Sequence, residues 1–164
     1  MYDKKIKGTT NIVDFFSYVS FFPQLVAGPI EKASKLLPQF SKARQFDYDK
    51  SADGLRQILW GLFKKMVVAD NCALYMTEFM LLPEEASGST ILVFLMIGAF
   101  RFYCDFSGYS DIAIGTARIM GFNLTKNFDY PFFARNISEF WQKWHISLIA
   151  WIRTYIGNKL KGRT

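Results

Sequence analysis

From Ile91 to Phe100 the chain reads ILVFLMIGAF, an unbroken apolar run. The residues that follow, RFYCDFSGYSDIAIGTAR, carry Arg101, Asp105, Asp111 and Arg118 while staying largely apolar. The run alone is shorter than the roughly 20 residues a helix needs to cross the hydrocarbon of a bilayer. Continued into the charged segment, the crossing becomes long enough, but its ionisable groups then need partners. Such groups cost about 2.5–3.5 kcal/mol each on insertion scales and therefore face a bundle interior rather than lipid. This pairing of an apolar run with embedded charge points to an all-α, polytopic membrane bundle with a polar inside.

Composition supports that reading unevenly. The hydrophobic share of 51% is close to the about 45–50% of ordinary soluble domains and decides little. The aromatic share of 18%, with 8 Tyr and 4 Trp, carries more weight because these residues collect at membrane interfaces. A mean hydropathy of only +0.08 shows charges interleaved with apolar runs, as in a multi-helix protein with a polar interior. The net charge of +6 is scattered, as in Lys4-Lys5-Ile6-Lys7 and Lys159-Leu160-Lys161. Nucleic-acid binding would show a basic stripe or a docking motif, so the expected partner is the lipid bilayer, with basic residues marking cytoplasmic connections. Cys72 and Cys104 lie far apart without metal-ligand spacing and read as buried thiols; no metal site is expected. The start, MYDKKIKGTT, lacks the short apolar region and cleavage site of a signal peptide.

Other segments fit the same plan. Ile12–Ile30 is long enough to approach a crossing, but Asp14, Pro23, Gly28 and Pro29 interrupt it and predict a bent or re-entrant helix. Glu31–Asp53 is polar and basic, with Leu36, Leu37 and Phe40 at amphipathic spacing, and reads as an interfacial connection on the cytoplasmic side. A second helical block spans about Gly54–Leu82, with Lys64 and Lys65 at its middle; either they snorkel to an interface or the helix bends there. Pro83 ends that block and Ser87-Gly88-Ser89 opens the next, with the PEEASGS segment as the loop. A last helix is expected from about Ile137 to Ile156, capped by Asn136 or Ser138 and supported by a Glu139–Lys143 pair.

Two places hold candidate chemistry. Along Arg101–Arg118, helical spacing would pair Arg101 with Asp105, Asp105 with Tyr109, and Ser107 with Asp111. Such a network either locks helices together or lines a substrate cavity, and Gly108 and Gly115 would let a neighbouring helix or a substrate come close. His145, the only histidine, lies among Trp141, Trp144, Leu148, Trp151 and Tyr155, an aromatic stripe at three-to-four spacing. An imidazole with pKa near ~6.5 can take a hydroxyl proton at neutral pH during attack on an acyl carbonyl. It can equally be a core histidine beneath an aromatic face. Neither a serine nucleophile elbow nor a metal cluster accompanies it, and the spacing leaves both readings open.

Five ordered strings carry a resemblance: SFFPQLVAGPI (Ser20–Ile30), ILWGLFKKMVVAD (Ile58–Asp70), FYCDFSGYSDIAIGTARIMGF (Phe102–Phe122), NFDYPFFARNISEFWQKWHISL (Asn127–Leu148) and WIRTYI (Trp151–Ile156). Together they resemble the membrane-bound O-acyltransferase family, and its bacterial branch of alginate O-acetyltransferases and teichoic-acid D-alanyl transfer proteins in particular. The resemblance implies a tunnelled helical enzyme of the bacterial cytoplasmic membrane, crossing it several times. Such an enzyme moves an acyl group from a donor, acetyl-CoA or a carrier-linked acyl group, to a hydroxyl of an exopolysaccharide or envelope polymer such as alginate, with periplasmic or extracellular partner proteins. No bound cofactor is implied. His145 falls on one of the family's signature histidines. Asp105, Tyr109 and Asn136 would place polar groups along the tunnel, Trp141 and Trp144 would shape its wall, and Arg153 would face the donor's anionic portion. The family's second signature histidine, in a Leu-Trp-His-Gly setting further on, has no counterpart in this sequence, and Thr154 stands where relatives carry an acidic residue. The expectation is that residues 1–164 form a partial domain lacking its C-terminal part and inactive alone, with a non-catalytic membrane scaffold as the alternative.

Overall fold

Asparagine, aspartate and serine caps start three of the helices as their sequences require. Asn11 Oδ1 accepts from Val13 N at 2.9 Å and opens α1 (Ile12–Val19). Asp47 Oδ1 accepts from Lys50 N at 3.1 Å at the start of α3 (Tyr48–Leu62). Ser87 Oγ accepts from Thr90 N at 3.3 Å and opens α5 (Gly88–Ile119), which runs for 32 residues. Each cap satisfies an amide that has no partner inside its own helix. The structure, a computed structural model, describes residues 11–79 and 87–157, and their regular secondary structure is all helical. The basic N-terminus, most of the loop after Pro83 and the tail from Asn158 lie outside the described residues.

The stretch from Ile12 to Ile30 is not one straight helix. After α1 the chain passes through a 3₁₀ turn at Phe22–Gln24, with Pro23 buried. Pro23 cannot donate to a continuing helix, and a Cβ at Gly28 would collide with the Pro23 carbonyl oxygen, so the bend closes only on glycine. The amphipathic segment beyond forms α2 (Ala33–Phe40), whose Leu36 is fully buried.

The helix α3 runs on without a break through a π-helical turn, Phe63–Ala69, into α4 (Asp70–Phe79). This rod lies antiparallel to α5. Gly54 faces Gly115 and Gly61 faces Gly108; a Cβ on Gly61 would come within 2.6 Å of the Gly108 carbonyl oxygen, and one on Gly115 within 2.5 Å of that of Gly54. Two glycine pairs spaced about two helical turns apart let the backbones nearly touch. Of the two options for the glycines of α5, a neighbouring helix is what comes close. A π turn fits one extra residue into the helix, and here it turns Lys64 inward and Lys65 outward. Lys64 is buried and pairs with Asp111, while its Nζ also donates to Ser107 Oγ at 3.1 Å. Lys65 pairs with Asp105 at 2.7 Å and Asp70 at 2.8 Å.

These inter-helix pairs replace the expected pairs within α5. Asp105 goes to Lys65 rather than Arg101, and Arg101 Nη1 lies 3.6 Å from Met76 Sδ. Same-helix pairs are worth only about 0.2–0.5 kcal/mol, so a cation on the facing rod outcompetes them. At its C-terminus α5 closes with Gly121 at φ 82, Gly121 N donating to Arg118 O and Phe122 N to Ala117 O, the glycine cap that satisfies the last carbonyls. Phe122 then packs with Phe21 at 4.8 Å and Phe40 at 4.7 Å, joining α1 and α2 to the end of α5 in a core with Leu36 and Ala117.

The expected helix from Ile137 to Ile156 is broken in two, α6 (Ile137–Lys143) and α7 (Ile146–Ile152), followed by a π turn at Arg153–Gly157. The break comes from a neighbouring loop rather than from a local stop signal. Asp129 N donates to Lys143 O at 2.9 Å and Ile146 N to Asn127 O at 2.8 Å. Backbone groups that would continue the helix are spent on the 127–129 loop. The expected Asn136 cap is present, its Oδ1 accepting from Glu139 N at 2.8 Å, as is the Lys143–Glu139 pair at 2.8 Å.

Candidate active site at the break between two helices

His145 sits at the break itself, with φ 46 and ψ 54. A left-handed backbone is uncommon for a residue other than glycine. Among the described residues the other non-glycine case is Tyr130, φ 45, at the end of the neighbouring 127–130 loop that bonds to this break. Strained positions persist where the surroundings over-determine them, often at functional sites. The imidazole packs edge-on against Phe106 of α5, centroids 4.8 Å apart, with Phe128 6.1 Å away. Burial pushes its pKa below the ordinary histidine value, because a charged imidazolium is penalised in an apolar site.

Nδ1 of His145 lies 2.9 Å from Asn127 Oδ1. Asn127 is only 1% exposed and is the hub of the site. Its Oδ1 also accepts from Ser147 Oγ at 2.9 Å, and its Nδ2 donates to Ser110 Oγ at 3.0 Å. Ser110 in turn donates to Ala27 O at 3.1 Å, and Ile30 N donates to Ser147 Oγ at 3.0 Å. The bend after α1, the middle of α5, the 127–130 loop and the start of α7 therefore converge on one carboxamide.

Beside this hub a cavity of about 430 Å³ opens between α3 and α5, lined among others by Lys64, Tyr103, Ser107, Asp111, Asn127 and Phe128. It reaches Asn127 and Ser110 but not His145. Its walls are aromatic and its polar end is the Lys64–Asp111 pair, to which Gln57 Nε2 donates at 3.0 Å.

The residues named from sequence are spread more widely. Asp105 has a side chain 53% exposed and bound to Lys65, and Tyr109 is also exposed on α5. Asn136 is engaged in capping α6. Trp144 stacks on Phe140 at 5.5 Å and Phe102 at 5.7 Å, and meets Phe128 edge-on at 5.1 Å. It therefore shares with His145 a wall of Phe128, while Trp141 is exposed beside Phe140. Arg153 is exposed at the start of the last π turn. Of the set, His145 and Trp144 are brought together; Asp105, Tyr109, Asn136 and Arg153 do not share the cavity.

The sequence pattern of the membrane-bound O-acyltransferase family matches residues 3–163. The chain belongs to this family. Among its relatives, a probable alginate O-acetylase of Pseudomonas aeruginosa is 40% identical over 154 residues, which is 94% of this chain and 29% of that protein. A peptidoglycan O-acetyltransferase of Helicobacter pylori is 39% identical over 162 residues, 93% of this chain and 30% of the relative. A teichoic acid D-alanyltransferase of Bacillus subtilis is 30% identical over 143 residues, 85% of this chain and 36% of the relative. The chain thus spans about a third of the length of these curated relatives.

In this member of the membrane-bound O-acyltransferases, sequence reasoning missed Asn127, Ser110 and Ser147 as neighbours of the histidine. Asn127 stands 18 residues from His145 and Ser110 another 17 before it. No single helix joins these positions, so helical spacing could not bring them together. The one available signal was the pairing of an asparagine with the Phe-Asp-Tyr-Pro string inside a matched segment.

Proposed function

We propose that this chain forms part of a bacterial O-acyltransferase that moves an acyl group, an acetyl group, onto hydroxyls of an exopolysaccharide or cell-envelope polymer such as alginate. One observation carries the reading. In a chain matched over 94% of its length to a probable alginate O-acetylase, the sole histidine is half-buried, backbone-strained and engaged at one ring nitrogen. A half-buried imidazole whose surroundings disfavour the charged form is suited to take the acceptor's hydroxyl proton as its oxygen attacks the acyl carbonyl. The bond from the acyl carbon to the donor then breaks, and the donor leaves with a proton. The donor is acetyl-CoA or a carrier-linked acyl group. Trp144 shapes the wall that it shares with His145 at Phe128, while Asp105, Tyr109, Asn136, Trp141 and Arg153, which lie outside the cavity, owe their tunnel roles to the family resemblance alone. The protein works as a multi-pass enzyme of the cytoplasmic membrane, delivering to a polymer with the help of partners outside that membrane.

The test uses membranes from cells producing the whole protein that contains this sequence, supplied with labelled acyl donor and polymer. His145→Ala is expected to lower ester formation by about 10²–10⁴-fold, the usual share of a general acid–base group. Unchanged transfer would remove His145 from the chemistry. Failure of the unaltered protein to transfer any acyl group would favour a membrane scaffold instead.

A further inference from the structure

We infer that Asn127 is a positioning residue that holds His145 in the tautomer protonated on Nδ1, leaving the lone pair on Nε2. That this lone pair serves acyl transfer rests on the function proposed above; the tautomer itself does not.

The Ala27 carbonyl can only accept, so the single hydroxyl hydrogen of Ser110 is committed to it at 3.1 Å. Ser110 Oγ must then accept from Asn127 at 3.0 Å, which makes that end of the carboxamide the NH₂ group. The other end is the oxygen, and an amide oxygen carries no hydrogen. His145 Nδ1, at 2.9 Å, must therefore be the donor. Ser147 agrees, because its Oγ accepts from Ile30 N at 3.0 Å and gives its own hydrogen to Asn127 at 2.9 Å. Turning the amide over would make Ser110 Oγ donate to the amide oxygen, which leaves Ala27 O without its donor, and would leave the Ser147 hydroxyl hydrogen only the long 3.5 Å approach to Nδ1 in place of its 2.9 Å bond to Asn127. Every link runs in one direction, from the imidazole and Ser147 through Asn127 and Ser110 to Ala27. Among the described residues no hydrogen bond occupies Nε2, and the Phe106 and Phe128 rings fix the imidazole plane.

The experiment records ¹⁵N spectra of the full-length protein with labelled histidine, the His145 signals being assigned by their loss in His145→Ala. Near neutral pH the unaltered protein is expected to show a protonated Nδ1 and an unprotonated Nε2. Asn127→Asp keeps an acceptor opposite Nδ1 and should keep that nitrogen protonated, while its negative charge favours a second proton on Nε2. Asn127→Leu, similar in size without an acceptor, should move His145 toward the Nε2-protonated form and lower acyl transfer at least tenfold. An Nε2-protonated signal in the unaltered protein would overturn the inference whatever the variants do, and so would an unchanged pattern in well-folded Asn127→Leu. If His145→Ala keeps full activity, the catalytic reading fails while the spectra still decide the role of Asn127.

Discussion

Lys64 carries its ammonium group into the interface of the rod with α5, where its side chain is 11% exposed and that of Asp111 is 22% exposed. Ser107 Oγ and the Tyr103 ring, 5.9 Å away, complete its surroundings. Removing one member of a buried pair leaves the other charge desolvated and uncompensated, whereas replacing both by apolar groups is often nearly neutral. Lys64→Met is therefore expected to destabilise the protein by about 3 kcal/mol, and Lys64→Met with Asp111→Leu to recover most of that loss. Thermal unfolding in detergent measures both. A single variant as stable as the parent would mean that water reaches Asp111 and the pair contributes little.

At the scale of elements, the α3–α5 contact reverses an ordinary rule. Alanine is favoured over glycine inside a helix by about 0.8–1.0 kcal/mol, so propensity alone would have Gly61→Ala stabilise α3. The 2.6 Å approach of that Cβ to the Gly108 carbonyl demands instead that the backbones separate, and overpacking of this kind costs about 1–3 kcal/mol. Gly61→Ala and Gly108→Ala should lower the melting temperature. Gly88→Ala, where nothing lies within 4 Å, should be neutral or slightly stabilising. Equal effects at Gly61 and Gly88 would show that the two helices do not meet through their glycines.

For the molecule as a whole, α5 is divided along its length. Its first half presents Ile91, Leu92, Leu95 and Met96 outward, while its second half buries Ser107, Gly108, Ser110, Ala113 and Gly115. Among the described residues it is the helix long and apolar enough to cross a membrane. In a family that is membrane-bound, an exposed apolar half of this kind belongs against hydrocarbon. Leu95→Arg should therefore cost about 2.5–3.5 kcal/mol of insertion free energy, read as loss of the full-length protein from the washed membrane fraction. Leu95→Phe should leave it there. Normal membrane recovery of Leu95→Arg would place that face in water or against a polar partner.

Much of this was legible in the residues. The caps at Ser87 and Asn136, the Glu139–Lys143 pair, the interruption at Pro23 and the length of α5 all follow from interactions within a few residues, and the five ordered strings carried the family. What the chain could not reveal alone depended on partners far away in sequence. The π turn that buries Lys64 answers Asp111, 47 residues on. The break at His145 exists because the 127–129 loop takes the backbone groups of Lys143 and Ile146, although residues 137–156 by themselves have an unbroken helical period. Local sequence fixes which hydrogen bonds neighbours can make; only the tertiary arrangement decides which distant donor displaces them, and that choice brought Asn127 to the imidazole.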